Sequence, residues 1–242
     1  MLEWVWVQQF LAQVNEGGLR FASGNESVVS TQAGKSLAAE FMKKYGNGSD
    51  CSRGWPPLDL LPNFALAQHH GIPTRLLDWT ELSYIAMYFS AVKAAAFARD
   101  AEEKPINWTH FSIWALNRAY LYMFEVMENA FAHVVTLPRA ANPNLHAQSG
   151  LFVHYWEDVP ASPGAVFKPF QFDDVVVRAP AGLRVAPNAV INLPSPALIR
   201  VDVPGHLAGP VLRELALLGV SASRLFPGYD GAARAVQESY LW

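Results

Sequence analysis

The run Ala67-Gln68-His69-His70-Gly71-Ile72-Pro73-Thr74-Arg75-Leu76-Leu77-Asp78-Trp79-Thr80 sets Gln, two His, Arg, Asp, Trp and two Thr between apolar flanks. A polar group withdrawn from water costs free energy unless it finds a hydrogen-bond partner. Any fold built around this run must therefore satisfy the cluster internally or open a cleft along it. Pro73 pushes Ile72 towards an extended backbone, so a helix entering the run has to stop before it. The spacing predicts a helix over Leu58–His70, a sharp turn, a short strand, and a new helix capped near Thr80.

The rest of the chain supports a sizeable core around this segment. Of 242 residues, 51% are hydrophobic and 16% charged, which describes a globular protein and excludes a disordered one. The net charge of −3 and a pI near 6.2 argue against a strong non-specific grip on nucleic acid. A lone cysteine, Cys51, excludes an intrachain disulfide and a multi-cysteine zinc site, and suits a reducing cytoplasm. Glu3 stands where a signal peptide would be basic, and Lys93 interrupts the apolar run Tyr84–Ala98. The expectation is a cytoplasmic protein without a membrane segment.

The hydrophobic pattern predicts a single α+β domain over residues 1–242, with a mixed, mostly antiparallel sheet flanked by helices. Helices are expected over Glu3–Val14, ended by Gly17-Gly18, and over Lys35–Tyr45. Another is expected from Thr80 to about Arg99, with Leu82, Ile85, Ala86, Phe89 and Val92 on its buried face. Asn117 is placed to cap a helix running to about Asn129. Strands are expected at Leu19–Phe21, around Phe111–Ala115, and at His133–Leu137, Leu151–Trp156, Asp174–Arg178, Ala189–Leu193 and Ile199–Val203. Pro210 suits a first helical turn, and Gly219 suits the end of that helix.

Several residues stand out as chemistry-bearing. Arg75 is the only cation of the Ala67–Thr80 run; its guanidinium suits a bidentate clamp on phosphate or carboxylate, or an ion pair with Asp78 that staples the turn. His69 and His70 are adjacent and point about 100° apart on a helix, so no shared metal is expected. Trp79 is placed to stack on a base or to enter the core. Gln148, just before a strand, suits contact with a ligand's hydroxyl or amide, or with local backbone. Arg20 suits either a ligand or the surface. The sequence has no phosphate loop, dinucleotide fingerprint, zinc-protease motif or nucleophile elbow.

The Ala67–Thr80 run resembles the signature of the FRG domain, a bacterial and phage-associated module named for an N-terminal Phe-Arg-Gly motif. The segments Leu82–Ser90, Asn144–Phe152 and Leu215–Pro227 resemble further parts of the family in the same order. The eponymous motif is reduced here to Leu19-Arg20-Phe21-Ala22-Ser23-Gly24.

The order of elements is also similar to that of ADP-ribosyltransferases, which hold NAD with an arginine or histidine on a first strand. That resemblance implies NAD as substrate, with Arg20 or Arg75 on its pyrophosphate or ribose. Trp79 and Thr80 would then flank nicotinamide, and Gln148 would bond the ribose hydroxyl beside the breaking bond. Arg75, Thr80 and Gln148 would be the catalytic residues, and Arg20, Gln68, His69, Asp78 and Trp79 would bind the cofactor. Together the resemblances imply a toxin or phage-defence effector acting on NAD or a nucleotide. A protein or nucleic-acid acceptor and an antitoxin or defence partner would accompany it. The other expectations are a ligand-sensing, protein-binding or nucleic-acid-binding module without catalysis, and an interaction protein using its apolar N-terminus.

Overall fold

A computed structural model describes residues 2–19, 60–101, 109–119, 132–137, 139, 142–155, 183–186, 189–191 and 198–241. These fall into two compact units, each assembled from three stretches of chain. The first takes in residues up to Asp78, Leu121–Ala141 and Phe152–Val175. The second takes in Trp79–Tyr120, Asn142–Leu151 and the chain from Val176 onward. Helices pack beside small antiparallel sheets, so the architecture is α+β, with the described strands in three separate sheets.

In the first unit, helix α1 (Leu2–Glu16) buries Trp4, Val7, Leu11 and Val14, a spacing that keeps one helical face inward. This face meets helix α2 (Leu61–His69), where Trp4 stacks on Phe64 with ring centroids 5.8 Å apart. Each such buried side chain contributes roughly 1.5–3 kcal/mol by leaving water. The sheet has the order β1–β4–β3, from β1 (Leu76–Thr80), β4 (Gly150–Tyr155) and β3 (Ala132–Val135). Strands β3 and β4 are antiparallel, with Val134 opposite Val153 and Val135 opposite Phe152.

Helices α1 and α2 end in the same way. The N–H of Leu19 bonds the carbonyl of Val14, and that of Ile72 bonds Ala67, with Gly18 and Gly71 in the left-handed region between. Leu19 therefore belongs to the closing turn of α1, where a strand was expected. The remaining strand residues Arg20 and Phe21, the helix expected over Lys35–Tyr45 and the strand expected over Asp174–Arg178 lie outside the described residues.

The second unit is built on helix α3 (Ser83–Ala101), which buries Ile85, Tyr88, Ala91, Ala94 and Ala95. The expected face was rotated from this one: Phe89 is 41% exposed, and Tyr88 takes the inward position. Phe89 still packs its ring edge-on against Tyr88 and Phe226. Strand β2 (His110–Leu116) pairs antiparallel with β7 (Leu198–Pro204), and Phe111 carries β2 into the α3 core. Beyond β2, Asn117 accepts the Ala119 N–H at 3.1 Å, as expected of a cap. Helix α4 (Pro143–Ala147) opens with Pro143 and is capped by the Asn142 side chain. Strands β5 (Leu183–Ala186) and β6 (Ala189–Ile191) form a separate hairpin.

Helix α5 (Ala208–Leu217) adds Ala208, Leu212 and Leu215 to the α3 core and holds Pro210 in its first turn. It closes at Gly219 through Val220 N–H to Leu215. Helix α6 (Ala222–Leu225) and helix α7 (Tyr229–Glu238) then pack by means of Gly231, where an added Cβ would lie 1.7 Å from the Phe226 carbonyl oxygen. No helix among the described residues is long and apolar enough to cross a membrane.

One buried polar link ties α7 to α3. The Tyr88 hydroxyl donates to Glu238 Oε2 at 2.5 Å, and Arg234 lies 3.6 Å from Glu238 Oε1. Burial pushes the Glu238 carboxyl above the usual carboxylate range, while the Tyr88 bond and Arg234 pull it back part of the way. A raised carboxyl stabilises the fold fully below its ordinary value of 4.5, and that contribution is lost as pH rises through the folded value. Glu238→Gln keeps an acceptor for Tyr88 without the charge. It should melt at a higher temperature than wild type at pH 7 and at nearly the same temperature at pH 4, as followed by circular dichroism. A wild-type advantage at pH 7 would mean that Arg234 and Tyr88 outweigh burial.

Candidate functional site

The polar run folds as expected into helix end, turn and strand, and its side chains close on one another. Pro73 has no N–H to give, so the turn between α2 and β1 is held by side chains. Gln68, in the last turn of α2, donates from Nε2 to the Leu76 carbonyl at 2.7 Å and to Asp78 Oδ2 at 3.0 Å. Its Oε1 accepts from the Thr74 hydroxyl, which in turn receives the Leu76 N–H at 3.3 Å. Both amide hydrogens and the carbonyl of Gln68 are thus engaged, and the Asp78 carboxylate is fixed beside the end of α2.

His69 is the last residue of α2, half-buried, with its ring edge-on to His70 at 5.3 Å. His70 in turn stacks on Phe10 of α1 at 5.8 Å. Burial lowers the His69 pKa, and neighbouring His70 lowers it further, while Asp78 acts in the opposite direction. Asp78 is an exposed residue, yet the protein packed around its carboxyl holds its pKa above the ordinary 3.8; the Gln68 bond and His69 draw it back down. The imidazole and the carboxyl are displaced towards each other, which brings a proton donor and acceptor closer in affinity.

Arg75 faces elsewhere. Its Nε and Nη2 reach Glu3 Oε2 at 2.9 and 2.8 Å, and its backbone N–H reaches Glu3 Oε1 at 2.6 Å. The staple that fixes this turn to α1 therefore runs from Arg75 to Glu3, whereas the Asp78 carboxylate takes Gln68. Nothing in local spacing announced Glu3, which is 72 positions away. Thr74 lay inside the run, six residues after Gln68, and its hydroxyl was the overlooked signal.

Thr80 and Gln148 meet in the second unit. Thr80 ends β1, and its hydroxyl donates to the Gln148 carbonyl at 2.8 Å while accepting the Leu82 N–H at 3.1 Å. Thr80 thus turns the chain into α3, whose first residue is Ser83; it precedes the cap position it was expected to occupy. Gln148 ends α4, and its Nε2 donates to the Leu225 carbonyl at 3.0 Å, serving an otherwise open backbone acceptor at the end of α6. Trp79, between Asp78 and Thr80, is half-buried. Arg20 lies outside the described residues. Among those described, no cluster of three or more His, Cys, Asp or Glu could hold a metal.

Ser149 follows Gln148 with φ at 45°, the left-handed conformation that glycine fills after α1, α2 and α5. Its carbonyl accepts the Glu81 N–H at 3.1 Å, and Glu81 carries an ion pair with Arg118 at 2.6 Å. The side chain at this position costs about 1–2 kcal/mol.

Residues 20–99 match the model of the FRG domain, a span that includes Gln68–Thr80 and excludes Glu3 and Gln148. No curated protein and no solved structure matches the chain.

Two measurements check this geometry. Replacing Asp78 by Asn should lower the His69 pKa further, read from the imidazole C–H resonances across a pH titration; an unmoved titration would disconnect the two groups. Ser149→Gly should gain about 1 kcal/mol, or roughly 2–4 °C in melting temperature for a domain of this size. No gain would show that the backbone there is held without strain.

Proposed function

We propose that this FRG-domain chain acts on NAD or another nucleotide, with His69 and Asp78 handling the proton. The reading is carried by one arrangement: a carboxylate oriented by Gln68 within electrostatic reach of a half-buried imidazole. Perturbed, mutually opposed groups gather where chemistry needs a proton donor and acceptor of similar affinity. His69, biased to its neutral form, is the general base, and Asp78 orients and supports the imidazolium that forms. In NAD, this supports transfer to an acceptor or hydrolysis at the nicotinamide glycosidic bond, as in ADP-ribosyltransferase-like chemistry. Thr80 and Gln148 become positioning residues on this reading, since their polar atoms hold Gln148 and Leu225, and Arg75 is held by Glu3.

The biological setting proposed with it is a cytoplasmic toxin or phage-defence effector. An antitoxin or defence partner restrains it, and a protein or nucleic acid accepts any transferred group. A second reading, a recognition module without turnover, is favoured by the outward row Tyr229, Val236 and Tyr240 at the C-terminal end of the described chain. Of the apolar N-terminus, Trp4 is buried, which leaves Val5 and Trp6 as its exposed part.

Nicotinamide release from NAD, and phosphate or base release from a nucleotide panel, decides between these readings. Turnover should fall by about 10²-fold or more in His69→Gln with its melting temperature preserved. Arg75→Ala is a poor probe, because stranding Glu3 without its partner costs about 3–5 kcal/mol. Binding of a nucleotide without any turnover would transfer the assignment to recognition.

A further inference from the structure

Three N–H groups of one residue converge on the Glu3 carboxylate. The Arg75 amide reaches Oε1 at 2.6 Å, and its Nε and Nη2 reach Oε2 at 2.9 and 2.8 Å. A peptide N–H beside the edge of a guanidinium forms a cradle for an anion that presents two oxygens. All three donors belong to the matched residues 20–99, whereas the anion they hold comes from α1, outside that span.

Stability alone is a weak reason for this pair. The two side chains are only 11% and 9% exposed, and a buried ion pair gains little over apolar packing of the same volume. The geometry points to an anion subsite at Arg75, occupied in this structure by Glu3, which takes the phosphate of a small phosphate-bearing ligand by exchange with the Glu3 carboxylate. A phosphate carries more charge than a carboxylate and has enough oxygens to accept all three N–H groups. Helix α1 does not have to leave: Trp4, Val7, Leu11 and Val14 keep it seated while the Glu3 side chain turns away.

The choice of a phosphate ligand rests on the nucleotide reading, but the subsite is tested without turnover. Inorganic pyrophosphate is titrated into the full chain at constant ionic strength, with melting temperature as the readout. Glu3→Gln should reach its half-maximal shift at about tenfold lower pyrophosphate than wild type, because the competing charge is gone. Adding Arg75→Gln to Glu3→Gln, which leaves no buried charge unpaired, should abolish the shift. Equal responses of wild type and folded Glu3→Gln would overturn the exchange, as would a response that survives loss of Arg75.

Should either variant fail to fold, nitrogen-15 spectra of the wild type decide. Saturable movement of the Arg75 amide and Nε signals with pyrophosphate supports the subsite, and unmoved signals reject it. A wild type that binds pyrophosphate at Arg75 yet turns over no nucleotide would keep the subsite and remove the catalytic reading.

Discussion

Gln68 uses its whole amide within one turn, on Leu76, Asp78 and Thr74, and this closure decides where the neighbouring groups point. The backbone cannot close the turn alone, because Pro73 has no N–H and Gly71 has already reversed the chain after α2. With the Leu76 carbonyl held, β1 begins in a fixed register. Asp78 then stands beside His69, and Arg75 is turned towards α1. A side chain with two donors and one acceptor suits this task; a glutamate would present the Leu76 carbonyl and the Asp78 carboxylate with further acceptors, and the turn would open. Local order here comes from hydrogen-bond stoichiometry more than from apolar burial.

The second unit solves a different problem with small residues. Helices α6 and α7 approach closely because Gly231 has no side chain to collide with the Phe226 carbonyl. Between α3 and α7 one buried tyrosine–glutamate link is made, while the α3 alanines lie in the core with Leu212 and Leu215 of α5. Gln148 then joins α4 to the end of α6, and Thr80 joins β1 to α4. These polar links are short and directional, so they fix position where apolar contact would allow sliding.

Much of this was legible in sequence where one face carries large apolar residues and a turn residue marks the end. The N-terminal helix, the strand His110–Leu116, the helix closed by Gly219 and the Asn117 cap all follow from such patterns. The reading of α3 failed in rotation, because its alanine-rich surface gives nearly equal apolar weight to several faces and only packing selects Tyr88 over Phe89. Helix α7 inverts the usual pattern: Gly231 and Glu238 are buried, while Tyr229 and Val236 face outward. Its hydrophobic periodicity therefore points the wrong way. In the candidate site, residue types and their neighbourhood were legible, but partners were not. Glu3 is remote in sequence from Arg75, and a carbonyl acceptor such as that of Leu225 has no sequence signature at all.

Internal satisfaction of the signature does not by itself reduce it to a structural staple. A carboxylate held by an amide before any ligand arrives needs no reorganisation when a proton moves, which is where a prearranged polar site differs from water. Gln68 supplies that restraint to Asp78, and His69 is the last residue of α2. Arg75 is restrained in the same manner, but by an anion and not by a neutral amide. The distinction matters chemically: a neutral partner orients a charge and leaves it in place, whereas an anionic partner also occupies the position that an anionic ligand would take. The two halves of the signature therefore differ: Asp78 is oriented by a neutral amide, and Arg75 is paired with an anion.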